Sequence, residues 1–144
     1  MYLVSACLLG KNCKYNGGNT LSGAVCRFLD GKEYVACCPE QDGGLSTPRV
    51  PAERRGNRVI NRDGLDVTEE FTKGAENALR LALEHGADTA ILKERSPSCG
   101  VRAIYDGSFT GTVIPGCGLT AQLLAENGLR LLTEEDIENL SGEE

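Results

Sequence analysis

A chain of 144 residues is long enough to bury a sizeable hydrophobic core, and 40% hydrophobic with 25% charged residues is an ordinary composition for a globular fold. Its net charge of −6 argues against a nucleic-acid surface, which needs clustered Lys and Arg, and "ERRGNR" (Glu53 to Arg58) is the only basic cluster, expected at most near a small anionic group. No apolar run approaches the ~20 residues of a membrane span, and the N-terminus lacks a basic leader, so no membrane partner is expected and the cytosol is the expected compartment.

From the N-terminus, "YLVSAC" is a short apolar run that predicts a buried strand, and "LLGKNCKYNGGNT" after it reads as a loop with a sharp turn at Gly17-Gly18. In "LSGAVCRFLDG", Leu21, Ala24, Val25, Phe28 and Leu29 fall at helical spacing, and Gly31 closes the helix. "EYVACC" predicts a second buried strand. Pro39 to Asp63, with Pro39, Pro48 and Pro51, is irregular, and a long irregular stretch of this kind is usually functional. "NRVINRDGLDVT" alternates and carries a Asp-Gly hairpin signal.

The clearest helix is "TEEFTKGAENALRLALEHG", with Thr68 as cap, Glu69 and Glu70 in its first turn, and a stripe of Phe71, Ala75, Ala78, Leu79, Ala82 and Leu83. "DTAILK" predicts a third buried strand, "AIYDGSFTGT" a small hairpin, "LTAQLLAENG" a helix, "LRLLT" a closing strand and "TEEDIENL" a terminal helix. Strands alternating with helices imply one α/β domain over residues 1–144: three layers, a mostly parallel Rossmann-like sheet flanked by helices, with its site at the carboxyl ends of the strands.

Seven cysteines stand at positions 7, 13, 26, 37, 38, 99 and 117, beside the lone His85 at a helix end. An odd number without a leader points to thiols, metal or catalysis rather than a disulfide framework. Cys7, Cys37-Cys38 and Cys99 are all expected at strand ends, with glycines close by. Adjacent parallel strands lie roughly 4.8 Å apart, so these thiols can converge on one small centre. Three thiolates without histidine suit zinc, copper(I) or iron–sulfur, and three on a four-iron cluster leave one iron open. Cys37 and Cys38 point to opposite faces of a strand, so one of them faces the site, and Cys38 borders the loop. The residues alone leave inert buried thiols as an open alternative. Cys26 is expected to pack on its helical stripe and Cys37 in the core; Cys13 rivals Cys7, and Cys117 in "PGCG" is undecided between spectator and accessory.

"SACLLGKNCKYNGG" (Ser5 to Gly18), "CPEQDGGLSTPRVPAE" (Cys38 to Glu53), "LKERSPSCG" (Leu92 to Gly100) and "GCGLTAQLLAENGL" together resemble the thiouracil desulfurase-like family over nearly the whole chain. The resemblance implies a [4Fe-4S] cluster held by Cys7, Cys38 and Cys99, with its fourth iron free for the sulfur of a thiolated nucleobase or similar small molecule. It also implies non-redox C=S hydrolysis, with Glu40 as general base, Ser96 and Ser98 as hydrogen-bond donors, and Lys93 and Arg49 near the substrate. "QDGG" after C-P-E departs from the family's usual residues and is expected to bear on the pocket. Two other classes stay open: a redox-sensing, persulfide-carrying or zinc-bound thiol protein, and an iron–sulfur carrier with Cys117 as fourth ligand. The sequence assigns no oligomeric state.

Overall fold

Four parallel strands in the order β2-β1-β5-β8 form the centre of the computed structural model: β1 (Tyr2–Ser5), β2 (Tyr34–Cys37), β5 (Thr89–Leu92) and β8 (Arg130–Thr133). The structure describes residues 1–142, with side chains through Leu140. Between these strands run α1 (Gly23–Leu29), α2 (Pro39–Asp42), the antiparallel pair β3 (Ala52–Arg55) and β4 (Arg58–Asn61), and α3 (Thr68–His85). After β5 come the hairpin β6 (Ala103–Tyr105) and β7 (Val113–Pro115), then α4 (Leu119–Glu126) and, last, α5 (Glu134–Gly142).

Strand alternation divides the core in two. Leu3, Ala90 and Leu92 pack with Ala78, Ala82, Ala121 and Leu124 of α3 and α4 on one face. Val4 and Ile91 pack with Ala24, Val25, Leu29 and Ile137 of α1 and α5 on the other. The result is the expected three-layer sheet flanked by helices. No helix among the described residues is long and apolar enough to cross a membrane.

Several local expectations change. β2 is one of the two edge strands, not a buried one, and Tyr34 is 46% exposed. Cys26 is exposed rather than packed, because seven-residue α1 buries only Ala24, Val25 and Leu29; Leu21 lies outside it. Thr68 does not cap α3. Asp66 accepts the Thr68 N–H at 2.9 Å, and the Thr68 hydroxyl instead accepts the Val59 N–H at 2.9 Å, tying α3 to β4. Leu83 leaves the stripe and is 65% exposed. The Asp63-Gly64 turn yields one bridge, Ile60 to Asp66; the main hairpin partner of β4 is β3, through Gly56.

Two glycines let α2 lie directly on α3. A Cβ on Gly74 would stand 2.0 Å from the Pro39 carbonyl oxygen, and one on Gly43 would stand 2.0 Å from that of Glu70. Within "QDGG", Gly43 therefore serves helix packing, and none of the four residues lines the central cavity. Gly74→Ala is expected to lower stability by about 1–3 kcal/mol through overpacking. A urea midpoint equal to that of the unsubstituted protein would contradict the close crossing.

Candidate active site

The order of the sheet reverses at β1, and in such sheets the crevice beyond the carboxyl ends at that point is where ligands bind. A cavity of about 440 Å³ lies there, within the usual range for small-molecule sites. Ser5, Ala6 and Cys7 line it after β1, Cys37 to Glu40 after β2, and Lys93 to Pro97 with Cys99 after β5. The two hairpins complete the wall with Ala52, Glu53, Tyr105 and Phe109.

Cys7, Cys38 and Cys99 thus face one cavity, as do Cys13 and Cys37. Both members of the Cys37-Cys38 pair reach it, against the expectation that only one would. Strand pairing ends at Cys37, opposite Ser5, and the chain turns into α2 at once, so alternation no longer separates them. Cys117 does not line the cavity; it is half-buried against the core that contains Cys99. Among the described residues no disulfide joins any of the seven.

Cys13 is the thiol that sequence reasoning undervalued. It is 2% exposed and forms a buried group with Ala6, Cys38 and Cys7. Its thiol hydrogen-bonds to Cys7 and Cys38, which raises its own pKa and lowers theirs to about 7 each. The Thr20 hydroxyl and the Lys93 charge also favour the Cys7 thiolate, while the Gln41 N–H and Arg49 favour that of Cys38. The Thr20 hydroxyl oxygen is buried and makes no hydrogen bond of ordinary geometry within the protein. Burial pushes Cys37 up to about 12, and it pushes Cys99 well above the ordinary thiol value despite a hydrogen bond with Ser5.

Glu40 lies on α2, its side chain 22% exposed, 3.5 Å from the guanidinium of Arg49. Burial raises the Glu40 pKa, and Arg49 pulls against that rise. Arg49 is itself buried, donates to the Cys13 carbonyl at 3.0 Å, and does not line the cavity. It therefore holds Glu40 rather than touching a ligand.

The two serines separate. Ser96 lines the cavity, and its oxygen accepts the N–H groups of Ser98 and Cys99, each at 3.0 Å. Its own proton remains available to donate. Ser98 does not fit a direct catalytic role. It is fully buried, its hydroxyl bonds Thr120 at 2.7 Å, and its carbonyl accepts from Thr120 and Ala121 at the start of α4. Gly118 is required beside it, since a Cβ there would meet the Ser98 carbonyl oxygen at 2.3 Å.

Two buried glutamates missed by sequence reasoning shape this loop. Glu94, 4% exposed, accepts the N–H groups of Val101 at 2.6 Å and Arg102 at 3.1 Å, curling the chain around Cys99. Glu134, at the start of α5, accepts the Glu94 N–H at 3.0 Å and pairs with Lys93 at 3.4 Å. In the basic "ERRGNR" cluster, Arg58 pairs with the Asp66 carboxylate at 3.5 Å. Arg54 donates to the Cys117 carbonyl at 2.6 Å and to Gln122 at 2.7 Å, clamping β3 to the start of α4 and the loop before it.

Among the described residues, no three His, Cys, Asp or Glu side chains stand close enough to share a single metal ion. Three thiolates on one zinc, each about 2.3 Å from it, crowd within about 4 Å of each other. In an iron–sulfur cluster each thiolate holds a different iron, so the donors stand farther apart. An all-sulfur donor set around a roomy cavity, two of its thiols already inclined to ionise, fits the second kind of centre.

A doubly wound α/β protein with a thiol-lined pocket at its switch point is the class that this geometry defines. The 2-thiouracil desulfurase family model matches residues 2–136, and the chain belongs to that family. It is 42% identical to the uncharacterised protein YbbK of Bacillus subtilis (strain 168), over 97% of this chain and 99% of that one. It is 44% identical to the solved structure of the [4Fe-4S]-dependent thiouracil desulfidase TudS, with a TM-score of 0.90 over 97% of this chain and 94% of that one.

The thiol arrangement predicts pH-dependent reactivity. Cys37 and Cys38 are similarly buried, at 5% and 7% exposed, yet differ in ionisation. In reduced, metal-free protein at pH 8, brief alkylation and peptide mass spectrometry should find Cys38 modified well ahead of Cys37. The preference should fade as pH falls through about 7, where the Cys38 thiolate regains its proton. Equal modification at pH 8 would contradict the assignment.

Proposed function

We propose that this protein removes sulfur from 2-thiouracil or a closely similar thiocarbonyl ring by hydrolysis, within one α/β domain over residues 1–144. The observation that carries it is the shared cavity: thiols from three sheet strands' ends, a carboxylate and a free serine proton face one space sized for a small ring. Kinship with a [4Fe-4S]-dependent thiouracil desulfidase over nearly the full length of both chains supports the same substrate class. Seven cysteines without a disulfide among the described residues suit a reducing cytosol.

Cys7, Cys38 and Cys99 are the proposed ligands of a [4Fe-4S] cluster, and Cys13 supports Cys7 and Cys38 by hydrogen bonding. When bound, such a cluster supplies an iron without a protein ligand, a soft Lewis acid matched to the sulfur of a C=S group. Glu40 takes the proton from a water that attacks the thiocarbonyl carbon, its carboxylate fixed by Arg49. Ser96 donates its proton in a hydrogen bond to charge developing on the ring, its oxygen held by two backbone N–H groups. Oxygen replaces sulfur on carbon, sulfide leaves, and no electron is transferred to an outside acceptor. Lys93 keeps the neighbourhood of Cys7 positive.

The test is anaerobic loading with iron and sulfide, followed by uracil and sulfide release from 2-thiouracil. Glu40→Gln should lower kcat by about 10²–10⁴, the usual worth of a general base, and Ser96→Ala by about 10²–10³. Ser98→Ala should spare kcat while costing about 1–3 kcal/mol of stability, because Thr120 loses its buried partner. Wild-type protein that carries a full cluster yet leaves 2-thiouracil intact would contradict the proposal. So would a Ser98→Ala loss as deep as that of Ser96→Ala.

A further inference from the structure

Phe109 stands in an unusual place. It lies at φ 58°, a left-handed conformation that bulky residues rarely adopt, in the turn between β6 and β7. Such strain persists only where surrounding contacts enforce it, and it concentrates at ligand clamps. The enforcing contacts come from β3. One carboxylate oxygen of Glu53 accepts the N–H groups of both Gly107, at 3.0 Å, and Phe109, at 3.1 Å. Arg55 donates to the Gly107 carbonyl at 2.7 Å. The turn is stitched further by Ser108, Thr110 and Thr112, whose hydroxyls bond in series at 2.6 Å and 2.8 Å.

Core packing does not account for this arrangement. Phe109 belongs to none of the three buried apolar clusters, although it is one of only three phenylalanines in the chain. Its ring lines the thiol cavity, and the Arg62 guanidinium lies 5.9 Å from the ring centroid. An aromatic side chain at the cavity wall, its backbone held by a carboxylate that accepts two amide N–H groups, is suited to a flat heteroaromatic ring. Stacking of this kind tolerates any nucleobase-like ring, and Arg62 lines the same cavity beside it.

We infer that Phe109 is a specificity-determining residue, the platform against which the substrate's six-membered heteroaromatic ring stacks, and that Glu53 is the positioning residue holding it there. The ring's identity rests on the thiouracil proposal; the stacking rests on the cavity. Phe109→Ala in the loaded enzyme should raise KM for 2-thiouracil about tenfold while kcat changes far less. Phe109→Tyr, which keeps the aromatic face, should restore KM, and Glu53→Ala should reproduce the rise. Uracil, which has no thiocarbonyl, serves as a second probe: calorimetry should show its affinity about tenfold weaker in Phe109→Ala than in Phe109→Tyr. Circular dichroism establishes that the variants are folded. Turnover by the wild type with an unchanged KM and uracil affinity in Phe109→Ala would overturn the stacking role and leave the desulfuration proposal standing. Uracil binding that depends on Phe109, in a loaded protein that does not desulfurate 2-thiouracil, would support stacking and sink the desulfuration proposal. Absence of wild-type binding to either ring would overturn the stacking role.

Discussion

The pairing of β1 with both β2 and β5 decides where every reactive group stands. β1 runs parallel to each, with Ser5 opposite Cys37 on one side and Val4 opposite Ile91 on the other. Segments far apart in sequence therefore leave the sheet at one level and one place. The strand residues below that level, among them Leu3, Val4, Ala90, Ile91 and Leu92, are fully buried. A site raised on such a base inherits its rigidity, and preorganised thiols need that rigidity more than a flexible surface loop could give.

Above the strands the backbone is irregular, and carboxylates take over the work of ladder hydrogen bonds. Glu94 gathers the amides of the loop that carries Cys99. Glu134 anchors Glu94 itself, and Glu53 fixes the turn of the second hairpin. Hydrogen bonds to a charged acceptor are roughly twice as strong as neutral ones, so a few acids can order long loops. The acidic balance of the chain serves, in part, the architecture of its own pocket. Glu40 differs from these three: its carboxylate meets Arg49 instead of backbone amides.

What the sequence disclosed and what it hid follow from the range of the forces involved. "YLVS" and "TAIL" announced strands because burial on both faces demands continuous apolar residues. The helical stripe from Phe71 to Ala82 was legible for a similar reason. The thiols at strand ends were legible once the parallel order was recognised. Cys26 misled because a helix of seven residues defines its buried face poorly. Ser96 and Ser98 sit on either side of Pro97, and nothing local separates them; Thr120, distant in sequence, takes Ser98 out of the cavity. Glu94 and Glu53 could not be singled out locally, because the amides that bind them lie further along the chain. Cys13 was hidden by its loop, which folds back between Cys7 and Cys38.

The central claim is that Cys7, Cys38 and Cys99 hold one cluster and leave a single iron to the substrate. Mössbauer spectroscopy of protein loaded anaerobically with ⁵⁷Fe tests it most directly. The expected spectrum is that of a [4Fe-4S] centre in which addition of 2-thiouracil shifts the signal of one iron in four, and in which serine at any of the three positions abolishes the centre. Four irons that ignore 2-thiouracil, or a centre intact after loss of Cys99, would contradict the account.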